Sequence, residues 1–91
     1  MSDANHFSVL EQKPENGFVP DAVTAMKIAE AIWIPIYGER LINGQKPFEA
    51  ELNENGVWEV NGTLSEDSLG GVAYIEIQKS DSKILKVIHG E

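Results

Sequence analysis

Two histidines and fifteen carboxylates are the groups in this chain whose chemistry could serve as acid, base or ligand, and there is no cysteine. Thiolate nucleophiles, disulfide frameworks and cysteine zinc sites are therefore excluded. Catalysis by histidine needs an imidazole held against a nucleophile by an orienting partner. His6 falls in an irregular N-terminal stretch and His89 lies two residues from the end of the chain, so no partner follows from spacing, and both read as surface histidines. Carboxylates doing acid–base work need contrasting environments inside one pocket. Glu49, Glu51 and Glu59 instead alternate with apolar residues and read as solvent-facing. The acids near 49–54 and 66–67 lack the spacing and central glycine of a calcium loop, and Gly70-Gly71 lacks the lysine and following helix of a phosphate loop. No catalytic residue, metal or cofactor is expected.

Charge distribution is more informative than any single residue. Seven basic against fifteen acidic side chains give a net charge of −8, which excludes a nucleic-acid surface because no cationic face exists to displace phosphate counterions. Residues 47–78 hold seven of the acids (Glu49, Glu51, Glu54, Glu59, Glu66, Asp67, Glu76) and no Lys or Arg. Gathered on one face, they would speed encounter with a basic surface and turn away acidic ones.

The elements that would gather them follow from hydrophobic period. At 91 residues one small domain is expected, burying roughly 60–65% of its unfolded surface. Residues 1–17 show no sustained period and read as a loosely ordered arm before a domain over 18–91. Pro20-Asp21 is a helix start, with Pro where its missing donor does no harm and Asp at the positive end. Ala22, Ala25, Met26, Ala29, Ile32 and Trp33 then recur at helical spacing, until Pro35 kinks the helix and Gly38 closes it. Leu41 to Gln45 reads as a connection.

From Phe48 the period falls to two, as in half-buried strands. Phe48, Ala50 and Leu52 oppose Glu49 and Glu51; after an Asn53–Gly56 hairpin turn, Trp58, Val60 and Leu64 oppose Glu59, Asn61 and Thr63. In a third strand over 72–78, Ala73, Ile75 and Ile77 oppose Tyr74 and Glu76. In a fourth over 84–89 both sets are apolar enough to leave the inward face open. A kinked helix followed by four antiparallel strands is an α+β order. The helix stripe and the apolar set Phe48/Leu52/Trp58/Val60/Ile75/Ile77 should share one core. The opposite sheet face would then carry Glu49, Glu51, Glu59, Tyr74 and Glu76, rimmed by Glu54, Glu66 and Asp67, as the partner-binding surface. The opening residues show no basic start followed by an apolar run, and no stretch approaches the ~18 apolar residues of a membrane span, so a cytoplasmic location is expected.

The strings AMKIAEAIWIPIYGE, QKPFEAEL, GVWEVNGTL and GGVAYIEIQKSDSKILKVIHGE, in this order and with short gaps, resemble the NTF2-fold immunity proteins of bacterial polymorphic toxin systems over residues 18–91. Ser82, at a turn position where the family pattern leads one to expect glycine, and Glu91, where a basic residue is expected, depart from it. The resemblance implies an NTF2-like, cystatin-like cone and an inhibitor, a monomer by preference, that neutralises a cognate toxin domain through stoichiometric binding. Two other readings accompany it: an NTF2-like small-molecule pocket or enzyme lined by Trp33, Phe48 and Trp58, and a PepSY-like regulatory domain, a class usually exported.

Overall fold

The computed structural model describes residues 14–65 and 70–90. Helix α1, Ala22–Tyr37, is followed by a short α2, Glu39–Asn43, and then by strands β1 (Glu49–Leu52), β2 (Val57–Asn61), β3 (Ala73–Gln78) and β4 (Ile84–His89). The strands form one antiparallel meander in the order β1-β2-β3-β4, with α1 lying across one face. Among the described residues no helix is long and apolar enough to cross a membrane.

Asp21 starts α1 as its N-cap, accepting a 2.8 Å hydrogen bond from the Thr24 amide. Hydrogen bonding to the charged form by Thr24, from its side chain first and then its amide, holds the Asp21 carboxyl below the usual carboxylate range. Ala25 and Ala29 are fully buried together with Trp33; the two methyl side chains let the helix axis sit close to the sheet while the indole fills the space beyond. The helix runs through Pro35 to Tyr37. Pro35 leaves the Ala31 carbonyl without its helical donor, and both residues lie on the exposed side, where the carbonyl is not sealed from solvent. Gly38, at φ 96°, ends the helix with its amide on the Ile34 carbonyl at 2.8 Å. The next residues are helical, not the plain connection expected, and α2 brings Ile42 fully into the core.

The inner sheet face carries Val60, Ile75 and Ile77, all fully buried, with Trp58. Phe48 packs edge-to-face on Trp33, ring centroids 5.1 Å apart at 87°, while Lys46 lies over the Phe48 ring and pairs with Glu30 at 2.9 Å. Two residues of the expected alternating apolar sets sit elsewhere. Leu52 shares the inward parity of Ala50 but is 43% exposed at the end of the edge strand, and Leu64 is 47% exposed because β2 ends at Asn61. β4 resolves its ambiguity through an irregularity: Lys86 pairs with Glu76 but Ile84 with the adjacent Ile77. The extra residue, Leu85, breaks the alternation, so Ile84 and Val87 both pack toward the core.

The described residues before α1 are tied to the sheet. The Val19 amide donates to Lys79 O and the Phe18 amide to Ser80 O, the Lys79 ammonium meets the Asn16 carbonyl, and the buried Trp58 Nε1 donates to Val19 O at 2.8 Å. Gly17 permits this approach: at φ 85° it has no side chain, and a Cβ there would sit 2.5 Å from Lys79 O. Residues 1–13 of the expected arm lie outside the described residues.

Candidate functional site

Strand register decides what the outer face displays. Glu51 pairs with Glu59, Glu59 with Glu76, and Glu76 with Lys86, so three carboxylates stand in one row across adjacent strands and end at a single ammonium. The next row runs Glu49, Asn61, Tyr74, Ile88. The structure thus brings together Glu49, Glu51, Glu59, Tyr74 and Glu76, the five face residues expected from alternation. Glu54 is exposed in the β1–β2 turn, on the rim as expected; Glu66 and Asp67 lie outside the described residues.

Each side chain is positioned by its neighbours. The β1–β2 turn closes on Asn53, whose Oδ1 accepts from the Asn55 and Val57 amides at 2.8 and 3.1 Å, with Gly56 at φ 75°. This leaves Asn53 Nδ2 free to donate to Glu59 Oε2 at 3.0 Å. Tyr74 and Glu76, two apart on β3, point the same way, and the phenol donates to Glu76 Oε2 at 2.7 Å. Burial first, then the bond to Glu76 and the charges of Glu76 and Glu59, raise the Tyr74 pKa well above its ordinary value. Glu49 and Glu51 are exposed, and with Glu59 and Asn61 they flank a shallow groove of about 220 Å³. Like charges directly opposed on neighbouring strands repel, by an amount comparable to the ~0.2–1 kcal/mol of a favourable cross-strand pair.

The inner side of the sheet holds one polar assembly that was not legible in sequence. Gln45, just after α2, is buried; its Oε1 accepts from the Ala73 amide at 2.8 Å, which leaves its Nε2 to donate to His89 Nε2 at 3.0 Å. With that ring nitrogen accepting, His89 Nδ1 donates to Gly90 O at 2.7 Å. His89 is therefore not the surface histidine expected. It shares the inward parity of Val87, is half-buried, and packs its ring on Tyr37 at 5.1 Å. A cleft of about 440 Å³ opens beside this assembly, lined in part by Arg40, Gln45, Thr63 and His89. His6 lies outside the described residues. Trp33, Phe48 and Trp58, the lining of the alternative pocket, fill the core instead.

Comparison with known proteins places the chain. A family model described as NTF2 fold immunity protein matches residues 24–91, and the chain belongs to that family. It is also 37% identical over 75 residues to the uncharacterized protein YhhH of Escherichia coli strain K12, an alignment covering 80% of this chain and 58% of that protein. The chain thus spans less than two thirds of the length of this relative. No solved structure matches.

Proposed function

We propose that this member of the immunity family acts without catalysis in the cytoplasm, by binding a cognate toxin domain stoichiometrically through the outer face of its sheet. The observation that carries the reading is the row Glu51–Glu59–Glu76. Three carboxylates in direct register repel one another; Glu51 is exposed, while Glu59 and Glu76 are half-buried and accept from Asn53 and Tyr74. A basic partner surface turns that repulsion into attraction on binding. The toxin is accordingly one with a cationic face, as expected of a domain that handles nucleic acid or nucleotides.

The division of labour within the face follows from chemistry. A standard interface covers about 800 Å² on each partner, enough for most of a four-stranded sheet. The exposed carboxylates Glu49, Glu51 and, on the rim, Glu54 chiefly set association rate and its salt dependence, a role also proposed for Glu66 and Asp67, which lie outside the described residues. Tyr74, stiff, amphipathic and already oriented by Glu76, is the anchor.

The test needs a candidate toxin domain, to be sought first in the neighbouring reading frame. Changing Glu49, Glu51 and Glu59 together to Lys should leave the fold intact, slow capture of that domain and weaken protection of a cell expressing it. Equal capture rate and affinity for variant and wild type across a salt series would overturn the assignment of the site to this face.

A further inference from the structure

Among the described residues the sheet has two free edges, and they are built differently. β1 is four residues long and carries Glu49 and Glu51; shortness and charge are the usual means by which an edge resists pairing with another chain. β4 is six residues long, reads Ile-Leu-Lys-Val-Ile-His, and has Lys86 as its one formal charge. Leu85 and Ile88 are 43% and 50% exposed. Among the described residues no strand lies beyond it. Lys86 and the irregularity at Leu85 blunt the start of this edge, and beyond them Val87, Ile88 and His89 stay in regular register as a stretch open to pairing.

The hydrogen-bond pattern says which backbone groups are free. Gly90 N donates to Val72 O, and Gln78 N to Lys83 O, so Val72 and Gly90 form a bonded pair of the β3–β4 ladder. Opposed pairs alternate in an antiparallel ladder. Tyr74–Ile88 and Glu76–Lys86 are therefore the bonded pairs, and the amides and carbonyls of Val87 and His89 point outward from the edge.

A twofold axis at Val87 uses those groups. It sets Val87 opposite Val87 of the other copy as a doubly bonded pair, with Lys86 opposite Ile88 on the outer face. No like charges fall directly opposite each other. Pairing through β1 would instead oppose Glu49 and Glu51 to themselves. Across a β4 seam the Glu76 carboxylates of the two copies stand three strand spacings apart, about 14 Å, beyond the roughly 8 Å screening length at physiological salt.

From this asymmetry we infer that two copies of the chain associate antiparallel along β4, around Val87, to form one continuous sheet. This departs from the monomer favoured in the sequence, and it is independent of the proposed toxin site, which lies on a face and not at this edge. Each copy carries a charge of −8, so salt strengthens this association, whereas it weakens capture of a basic partner.

Sedimentation equilibrium from low micromolar to near-millimolar protein, in low and high salt, tests the inference together with residue-resolved amide exchange. The mass should rise from 10.0 kDa toward twice that value, more readily in high salt. The amides of Val87 and His89 should gain protection with concentration, while those of Lys86 and Ile88 are protected throughout. Ile88→Lys, at an exposed position that leaves the fold intact, places a second ammonium opposite Lys86 and should weaken association at least about tenfold. Glu51→Lys should not weaken it. Three outcomes overturn the inference: a 10.0 kDa species under every condition, a dimer indifferent to Ile88→Lys, or protection of Val87 only after a toxin domain is added.

Discussion

The two faces of the sheet are cut from the same four strands, residue by residue, and obey opposite rules. One inner row runs Ala50, Val60, Ile75, Val87; one position along, the outer row runs Glu51, Glu59, Glu76, Lys86. The inner row gains from removal of apolar surface from water and holds its place by packing under α1. The outer row opposes like charges across two successive strand pairs. Packing explains the first row, whereas like-charge opposition gives the second no comparable stabilising role, which is why it is the surface proposed for binding.

The comparison breaks most visibly under truncation. Ile75→Ala removes a fully buried side chain and should destabilise by about 2–5 kcal/mol in urea unfolding, while Glu51→Ala, on the exposed outer face, should stay within about 0.5 kcal/mol. Leu52→Ala should fall well below Ile75→Ala, because the side chain is 43% exposed. Equal losses at 51 and 75 would mean that the outer carboxylates are structural.

A second variant tests the one polar side chain buried on the inner side among the described residues, Gln45. Gln45→Leu keeps much of the volume but leaves the Ala73 amide with no acceptor and His89 with no donor. A buried donor left unpaired costs about 1–3 kcal/mol, and the Ala73 amide should then exchange faster than its neighbours. An unchanged unfolding midpoint would show that water substitutes freely and that the inner face is wetter than its packing implies.

These two residues also mark where sequence reading stops. Ile75 was legible because alternation is a local signal: Ala73, Ile75 and Ile77 announce an inward face, and Tyr74 and Glu76 an outward one. The helix, the four strands, the Asn53–Gly56 turn and the display of five face residues follow from the same kind of signal. Gln45 was not legible, since its partners are 28 and 44 residues away and nothing adjacent to it encodes them. One trace existed in Gly62. It is buried, and a Cβ there would lie 2.4 Å from Gln45 Oε1, so the glycine records a close approach. His89 was misread because the register irregularity at Leu85 made both sets on β4 apolar, which hid the parity that turns it inward. The glycine expected at Ser82 has a physical counterpart too: Ser82 stands at φ 63°, a conformation glycine adopts more readily.

A smaller effect sharpens the comparison from the outer side. Glu51→Lys replaces a repulsive cross-strand pair with an attractive one opposite Glu59 and should stabilise the isolated protein by about 0.2–1 kcal/mol. Its gain should shrink as salt is raised, since exposed charges are screened. Stability raised and toxin capture slowed by the same substitution is the signature expected of a charge kept for a partner. A loss of stability would instead assign Glu51 to the fold.

The least change is expected at Tyr74, and it is separable by pH. Near neutrality Tyr74→Phe removes one partly exposed hydrogen bond, to Glu76, and should cost about 0.5 kcal/mol. In the unfolded chain tyrosine ionises near 10.0, whereas in the fold burial, then the bond to and charge of Glu76, push ionisation higher. Below pH 10 both states keep the proton and the contribution of the phenol is complete. As pH rises past 10 the unfolded state loses its proton first, so unfolding becomes progressively easier. Tyr74→Phe lacks this linkage, and the stability curves of variant and wild type should converge and then cross in alkali. Phenolate absorbance provides a direct check: with Tyr37 the one other tyrosine, the step that the substitution abolishes should lie above pH 10. Parallel stability curves through the alkaline range would mean that Tyr74 stands free of Glu76 in solution, and the anchor of the acidic face would then be unoriented before its partner arrives.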